Sequence, residues 1–171
     1  MIGDLPALVG QYRTKGILLD SNLLVLLFVG LLDPDRVRSF SRTKNHGFTE
    51  NEFSLLEKVI LSTSAKVITT PHILTEATGF IRSGFYGKVQ LAALRIIAQV
   101  VQGFKERRRE SRILVQTDYF YRFGLTDSAI LDLPPKKYLV LSVDAGLVIA
   151  LQKKGVDAVN FNHLRQLGWE Q

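Results

Sequence analysis

Four short apolar runs punctuate the chain: GILLD at 16–20, KVITT at 66–70, YLVLSV at 138–143 and DAVNF at 157–161. Continuous rather than alternating runs of this length predict strands buried on both faces, as in a parallel sheet covered by helices. The segments between them carry helical spacing instead. SNLLVLLFVGLL at 21–32 predicts an apolar helix directly after the first strand. Its stretch 23–32 is too short to cross a bilayer, so it reads as a buried core helix, with a signal anchor as the alternative.

DPDRVRSFSRTKNHG at 33–47 reads as a polar, basic loop. Thr49 and Glu52 fit a capping box ahead of Phe53, Leu56, Val59 and Ile60, which predicts a helix over about 50–64. Thr70 and Pro71 supply a cap and a first-turn proline for a helix running to about 82. Val89, Ala93, Ile96, Val100 and Phe104 form one apolar stripe, which predicts a helix over 85–108. A helical piece near 117–123 leads into GLTDSAILDLPP, where Thr126 or Asp127 caps a short helix stopped by Pro134. GLVIALQKK at 146–154 and residues near 162–167 are the remaining helices. Alternating strands and helices define an α/β fold with a parallel sheet, and in such sheets the site lies beyond the carboxyl ends of the strands.

Composition narrows this picture in three ways. With 171 residues, 46% of them hydrophobic, the chain has the size and content of one globular domain, taken as 1–171. It has no cysteine, which excludes disulfides and thiolate metal ligands and makes a cytoplasmic location the expectation. Twenty-two Lys and Arg stand against 16 Asp and Glu, a net charge of +6, which suits a polyanionic partner through counterion release. A cluster of acids in so basic a chain would need a local reason.

The sheet rule singles out four acids. Asp20 and Asp144 follow strands, and Asp127 opens a helix. Glu76 lies on the helix after the 66–70 strand, on the flank of Ile73 and Phe80, and so leans toward the protein body. Each also has an ordinary explanation: Asp20, Asp144 and Asp127 as helix caps, and Glu76 as a solvated helix residue. If the four converge, any two about 4 Å apart repel by roughly 4 kcal/mol at an effective dielectric near 20. Either some are protonated, or a hard divalent cation holds them together, and carboxylates suit Mg2+ or Mn2+. Such an ion lowers the pKa of water and stabilises charge on a phosphodiester. Asn22 and Ser142 are supporting candidates, with a structural hydrogen bond as the alternative for each.

Other chemistries of α/β sheets fit less well. A haloacid-dehalogenase site wants a second aspartate two residues after the first, where this chain has Asn22. A receiver domain wants neighbouring acids ahead of its aspartate, and Asp4 stands alone. No GxGxxG turn follows a strand, and His46, His72 and His163 are far apart with no HExxH.

Asp20 with Asn22, Glu76 after TPHILT, GLTDSAI around Asp127 and LSVDAGL around Asp144 together resemble the PIN-domain nucleases, in the family's order over about 16–162. The resemblance implies a three-layer α/β/α sandwich, metal-dependent phosphodiester hydrolysis, and RNA as substrate. It matches Asp20, Glu76, Asp127 and Asp144 to the family's catalytic, metal-binding acids and Ser142 to its small hydroxyl position. Many members are toxins of toxin–antitoxin pairs that dimerise, so an antitoxin protein and a second copy are implied partners. The loop and helix at 33–64 are enlarged relative to compact toxins. Arg36, Arg38, Arg42 and Lys44 there are candidates to hold an RNA backbone, with a solvated basic loop as the alternative. KERRRESR at 105–112 invites the same choice, its alternative being cations that complement a helix C-terminus. Of a different class is a catalytically silent module that keeps the fold to bind RNA or protein.

Overall fold

The computed structural model describes residues 5–166; residues 1–4 and 167–171, which include Asp4 and the last position of the predicted terminal helix, lie outside it. Among the described residues the strands are β1 (Ile17–Leu19), β2 (Val67–Thr69), β3 (Lys105–Glu106), β4 (Leu139–Ser142) and β5 (Ala158–Asn160). They pair in the order β3-β2-β1-β4-β5, every pair parallel. Ile17, Leu18, Ile68, Leu139, Val140 and Leu141 are fully buried, as continuous apolar strands require when helices cover both faces. The result is an α/β/α sandwich around a parallel sheet.

The helices are α1 (Leu5–Gln11), α2 (Ser21–Leu32), α3 (Ser41–Asn45), α4 (Glu50–Ser62), α5 (Pro71–Gly84), α6 (Gly87–Val100), α7 (Ser111–Leu114), α8 (Asp118–Leu131), α9 (Ala145–Lys153) and α10 (Phe161–Gln166). Helix α2 is the core element: every residue from Leu23 to Gly30 is buried, and it packs on α4, α5 and α6. Each such Leu, Val or Phe contributes roughly 1.5–3 kcal/mol relative to exposure. Gly30 is required for this contact, since a Cβ there would stand 2.1 Å from the Phe53 ring of α4. Both predicted helix starts form as the sequence suggests. Thr49 and Glu52 make a complete capping box, and Thr70 Oγ1 accepts from Ile73 N–H ahead of Pro71.

Three expectations are corrected. The helix predicted over 85–108 ends at Val100; a turn of 3-10 helix spans Val101–Gly103, and Lys105–Glu106 then becomes the edge strand. The exposed edge of β2 decides this, because its unpaired backbone groups gain partners, down to Arg107 N–H on Thr69 O. KERRRESR is therefore no helix C-terminus. The predicted loop at 33–47 holds a 3-10 turn at Pro34–Arg38 and helix α3. Asp33 caps the turn, and buried Val37, Phe40 and Thr43 pin the segment, with Phe40 against Phe85 at 4.6 Å between ring centroids. Finally, α8 is two helical pieces meeting at Gly124, whose φ of 76° takes it out of helical geometry. Neither Thr126 nor Asp127 is the cap: the second piece begins directly after Gly124, and Asp127 lies in its first turn.

The strand order places the site. From β1 the chain moves through β2 to β3 on one side, then returns to lay β4 and β5 on the other. The order reverses between β1 and β4, and the crevice outside the carboxyl ends of two such strands is where open α/β sheets hold ligands. Asp20 follows β1 and Ser142 ends β4.

Candidate active site

Because Leu19 lies in register with Leu141, the next pair up the sheet is Asp20 and Ser142. Asp20 is only 4% exposed, yet its carboxylate is well partnered. Oδ1 accepts from Leu23 N–H at 2.8 Å, capping α2, while Oδ2 accepts from Ser142 Oγ at 2.5 Å and Val143 N–H at 2.9 Å. Burial pushes the Asp20 pKa up, and the hydrogen bonds from Ser142, Leu23, Val143 and Asn22 oppose that rise. Ser142 Oγ also accepts the Asp144 N–H at 3.0 Å, and Asp144 Oδ1 caps α9 by accepting from Leu147 N–H at 3.0 Å. Asp20 and Asp144 are thus helix caps as well as neighbours across the switch point.

Glu76 and Asp127 approach from α5 and α8. Glu76 is exposed, on the open side of the cleft rather than tucked into the body, and its Oε2 accepts from Ser21 Oγ. Asp127 is half-buried. Burial first, then the charges of Asp20, Asp144 and Glu76, push its pKa from the ordinary carboxylate range up to about 7. All four acids, with Asn22 and Ser142, line one cleft of about 280 Å³. Carboxylates separated by up to 124 positions in sequence, from Asp20 to Asp144, therefore meet at one place.

Of the basic residues singled out at 33–47, Arg42 lines this cleft. The pinned turn before α3 carries it there, where its Nε donates to Asn22 Oδ1 at 2.8 Å and its guanidinium lies 3.9 Å from the Phe80 ring centroid. Arg38 is held by Glu50 through two 2.6 Å hydrogen bonds and Arg36 by Asp33 at 3.3 Å; Lys44 is exposed on α3. Asn22 thus bonds the cleft's arginine. None of the three histidines lines the cleft.

Sequence reading missed Ser21, the partner of Glu76, and the wall formed by Phe123, Gly124 and Leu125. Ser21 sits at the first position of α2 beside Asp20, and nothing in its local sequence sets it apart from any first-turn serine. Gly124 does carry a signal, since a lone glycine between two helical patterns marks a break.

The donor set of the cleft's acids is all oxygen, which fits Mg2+ or Mn2+ rather than a softer metal. Among the described residues, however, no three His, Asp or Glu side chains stand close enough to share one ion as they are placed. Glu76 and Asp144 are turned to Ser21 and Leu147 N–H, so joint ligation with Asp20 requires rotation of their side chains. No helix among the described residues is long and apolar enough to cross a membrane. No protein-family model, curated protein or solved structure matches the chain.

Proposed function

We propose that this chain is a divalent-metal-dependent ribonuclease of the PIN-domain kind, hydrolysing RNA phosphodiester bonds at the cleft of Asp20, Glu76, Asp127 and Asp144. The observation that carries this reading is the meeting of these four acids, from four separate elements, at the switch point of a parallel sheet in a basic chain. A bound Mg2+ or Mn2+ would supply Lewis acidity, acidifying water and drawing charge from a phosphate oxygen. The acids of the quartet would hold it, Asp20 as the fixed member because backbone and Ser142 donors orient it.

The chain's own groups contribute the remaining steps. Without a cation, burial and then the charges of Asp20, Asp144 and Glu76 push the Asp127 pKa up to about 7; a dication held by the quartet would offset that rise, leaving Asp127 an ionised carboxylate able to accept a hydrogen bond from the attacking water. Arg42 is the cation that lines the cleft, and Asn22 and Phe80 hold its guanidinium so that its terminal nitrogens can meet a phosphate. Phe123 and Leu125 form an apolar wall on one side.

The test is hydrolysis of single-stranded RNA with Mg2+ or Mn2+ by the wild type and by Asp20→Asn and Asp144→Asn. Cleavage lost in both variants, with circular dichroism unchanged, is the expected result; full activity in both would remove the mechanism. One observation favours a second reading, a catalytically silent RNA- or protein-binding module: the acids do not stand at one-ion spacing. RNA binding by the wild type with no metal-dependent cleavage would select it. The narrower reading as a cytoplasmic toxin, with an antitoxin partner and a homodimeric form, follows from the PIN resemblance. Growth arrest on expression, relieved by the product of a neighbouring reading frame, tests it.

A further inference from the structure

A second groove, of about 450 Å³, runs beside the acid cleft between the Asp118–Phe123 piece of α8 and α9. Tyr119, Arg122, Phe123, Lys153 and Lys154 line it, with Asp118 as its one acid. The two hollows are continuous in their walls, because Phe123 lines both. Gly146 borders the groove two residues after Asp144, and a Cβ there would stand 3.1 Å from Asp144 Oδ1 and 4.0 Å from Phe123 Cε1. The missing side chain keeps the way from groove to Asp144 clear.

The groove's cations differ from many of those that stand out in the sequence. Arg36, Arg38, Arg108, Arg109 and Arg112 are each bound to a carboxylate at 3.3 Å or less. Arg122 and Lys153 are exposed, and among the described residues neither is in an ion pair. Arg122 lies 4.9 Å from the Phe123 ring centroid, and Lys154 donates to Leu131 O while lying 4.6 Å from the Tyr119 centroid. Exposed Tyr121 stands next along the chain. Unneutralised cations interleaved with aromatic rings are the chemistry of single-stranded nucleic acid, whose phosphates meet the cations and whose unpaired bases stack on the rings. A duplex shows no base faces, and an acidic peptide has no use for the rings.

We propose that this groove is the track along which single-stranded RNA reaches the acid cleft, with phosphates on Arg122 and Lys153 and bases against Tyr119 and Phe123. That the occupant is RNA rests on the ribonuclease reading above; the groove's charge and rings do not.

Binding of labelled oligouridylate, measured by fluorescence anisotropy in EDTA, tests the track without cleavage. Arg122→Gln with Lys153→Gln is expected to raise Kd about tenfold and to flatten the log–log salt dependence by about 1.4, roughly 0.7 per phosphate contact on a single strand. Lys58→Gln with Lys88→Gln, the same charge change on exposed positions of α4 and α6, is expected to move Kd less than about twofold. Equal weakening by both pairs, or none by the groove pair, overturns the proposal. So does duplex RNA that binds more tightly than the single strand, or polyglutamate that displaces the RNA as effectively as unlabelled oligouridylate. Should the groove pair not fold, Lys153→Glu alone serves.

Kinetics with Mn2+ separate this proposal from the nuclease reading. The groove pair is expected to raise KM for RNA with kcat retained and to hydrolyse bis(p-nitrophenyl) phosphate, too small to reach the groove, at the wild-type rate. Wild-type protein that binds RNA through the groove yet hydrolyses neither substrate keeps the track and sinks the ribonuclease. Wild-type cleavage with KM unchanged in the groove pair does the reverse.

Discussion

Ser142 Oγ donates to Asp20 Oδ2 across the β1–β4 pair at 2.5 Å and accepts the Asp144 N–H at 3.0 Å. One buried hydroxyl therefore orients the buried acid of the cleft and the start of α9 together. Ser142→Ala removes a hydrogen bond to a charged group and strands a backbone N–H. Urea unfolding near pH 7.5 is expected to show a loss of about 1–3 kcal/mol. The loss should shrink in acid, where Asp20 is protonated; an unchanged midpoint at both pH values would mean that the bridge is dispensable.

Asp127 makes stability depend on pH with a definite sign. Its folded pKa of about 7 lies above the unfolded value near 3.8, so between these values the native state binds more protons. Stability therefore falls as pH rises from about 4 to 7 and stays lowered above that. In metal-free buffer, Asp127→Asn is expected to match the wild type in melting temperature near pH 4 and to exceed it by a growing margin up to about pH 7. A margin constant across that range would contradict the raised pKa that burial, and then the charges of Asp20, Asp144 and Glu76, impose.

A divalent ion should reverse that penalty. Millimolar Mn2+ is expected to raise the melting temperature of the wild type, by about 2.7 kcal/mol of added stability when the ion stands at 100 times its Kd. EDTA should undo the rise, and Asp144→Asn should abolish most of it. No response of the wild type to Mg2+ or Mn2+ would argue against the quartet as a cation site.

Two glycines on core and surface helices should respond in opposite directions to the same substitution. Gly30→Ala drives a methyl into the Phe53 ring at 2.1 Å, so α2 and α4 must move apart, at a cost of about 1–3 kcal/mol. Gly79→Ala on α5 meets nothing within 4 Å and is expected to add about 0.5–1 kcal/mol through helix propensity. Calorimetry of the two variants checks the pair; a stabilised Gly30→Ala protein would mean that α2 is not packed as described.

The elements that the sequence by itself determined are those whose cause is local. Strands β1, β2, β4 and β5, the apolar helix α2, the capping box at Thr49 and the Thr70–Pro71 start follow from runs, periods and caps a few residues long. Asp20 and Asp144 were legible for the same reason, as acids that end buried strands. Tertiary structure decided whatever depends on a distant partner. The open edge of β2 turned Lys105–Glu106 from helix to strand. Buried Phe40 and Thr43 made helical turns of a basic loop and brought Arg42 to Asn22, while Glu50 and Asp33 took Arg38 and Arg36. Ser21 met Glu76 from 55 positions away, and Ser142 met Asp20 from 122. A charge or hydroxyl looks the same in the chain whether its neighbour in space is water or a carboxylate, and only the packed sheet and its helices choose between them.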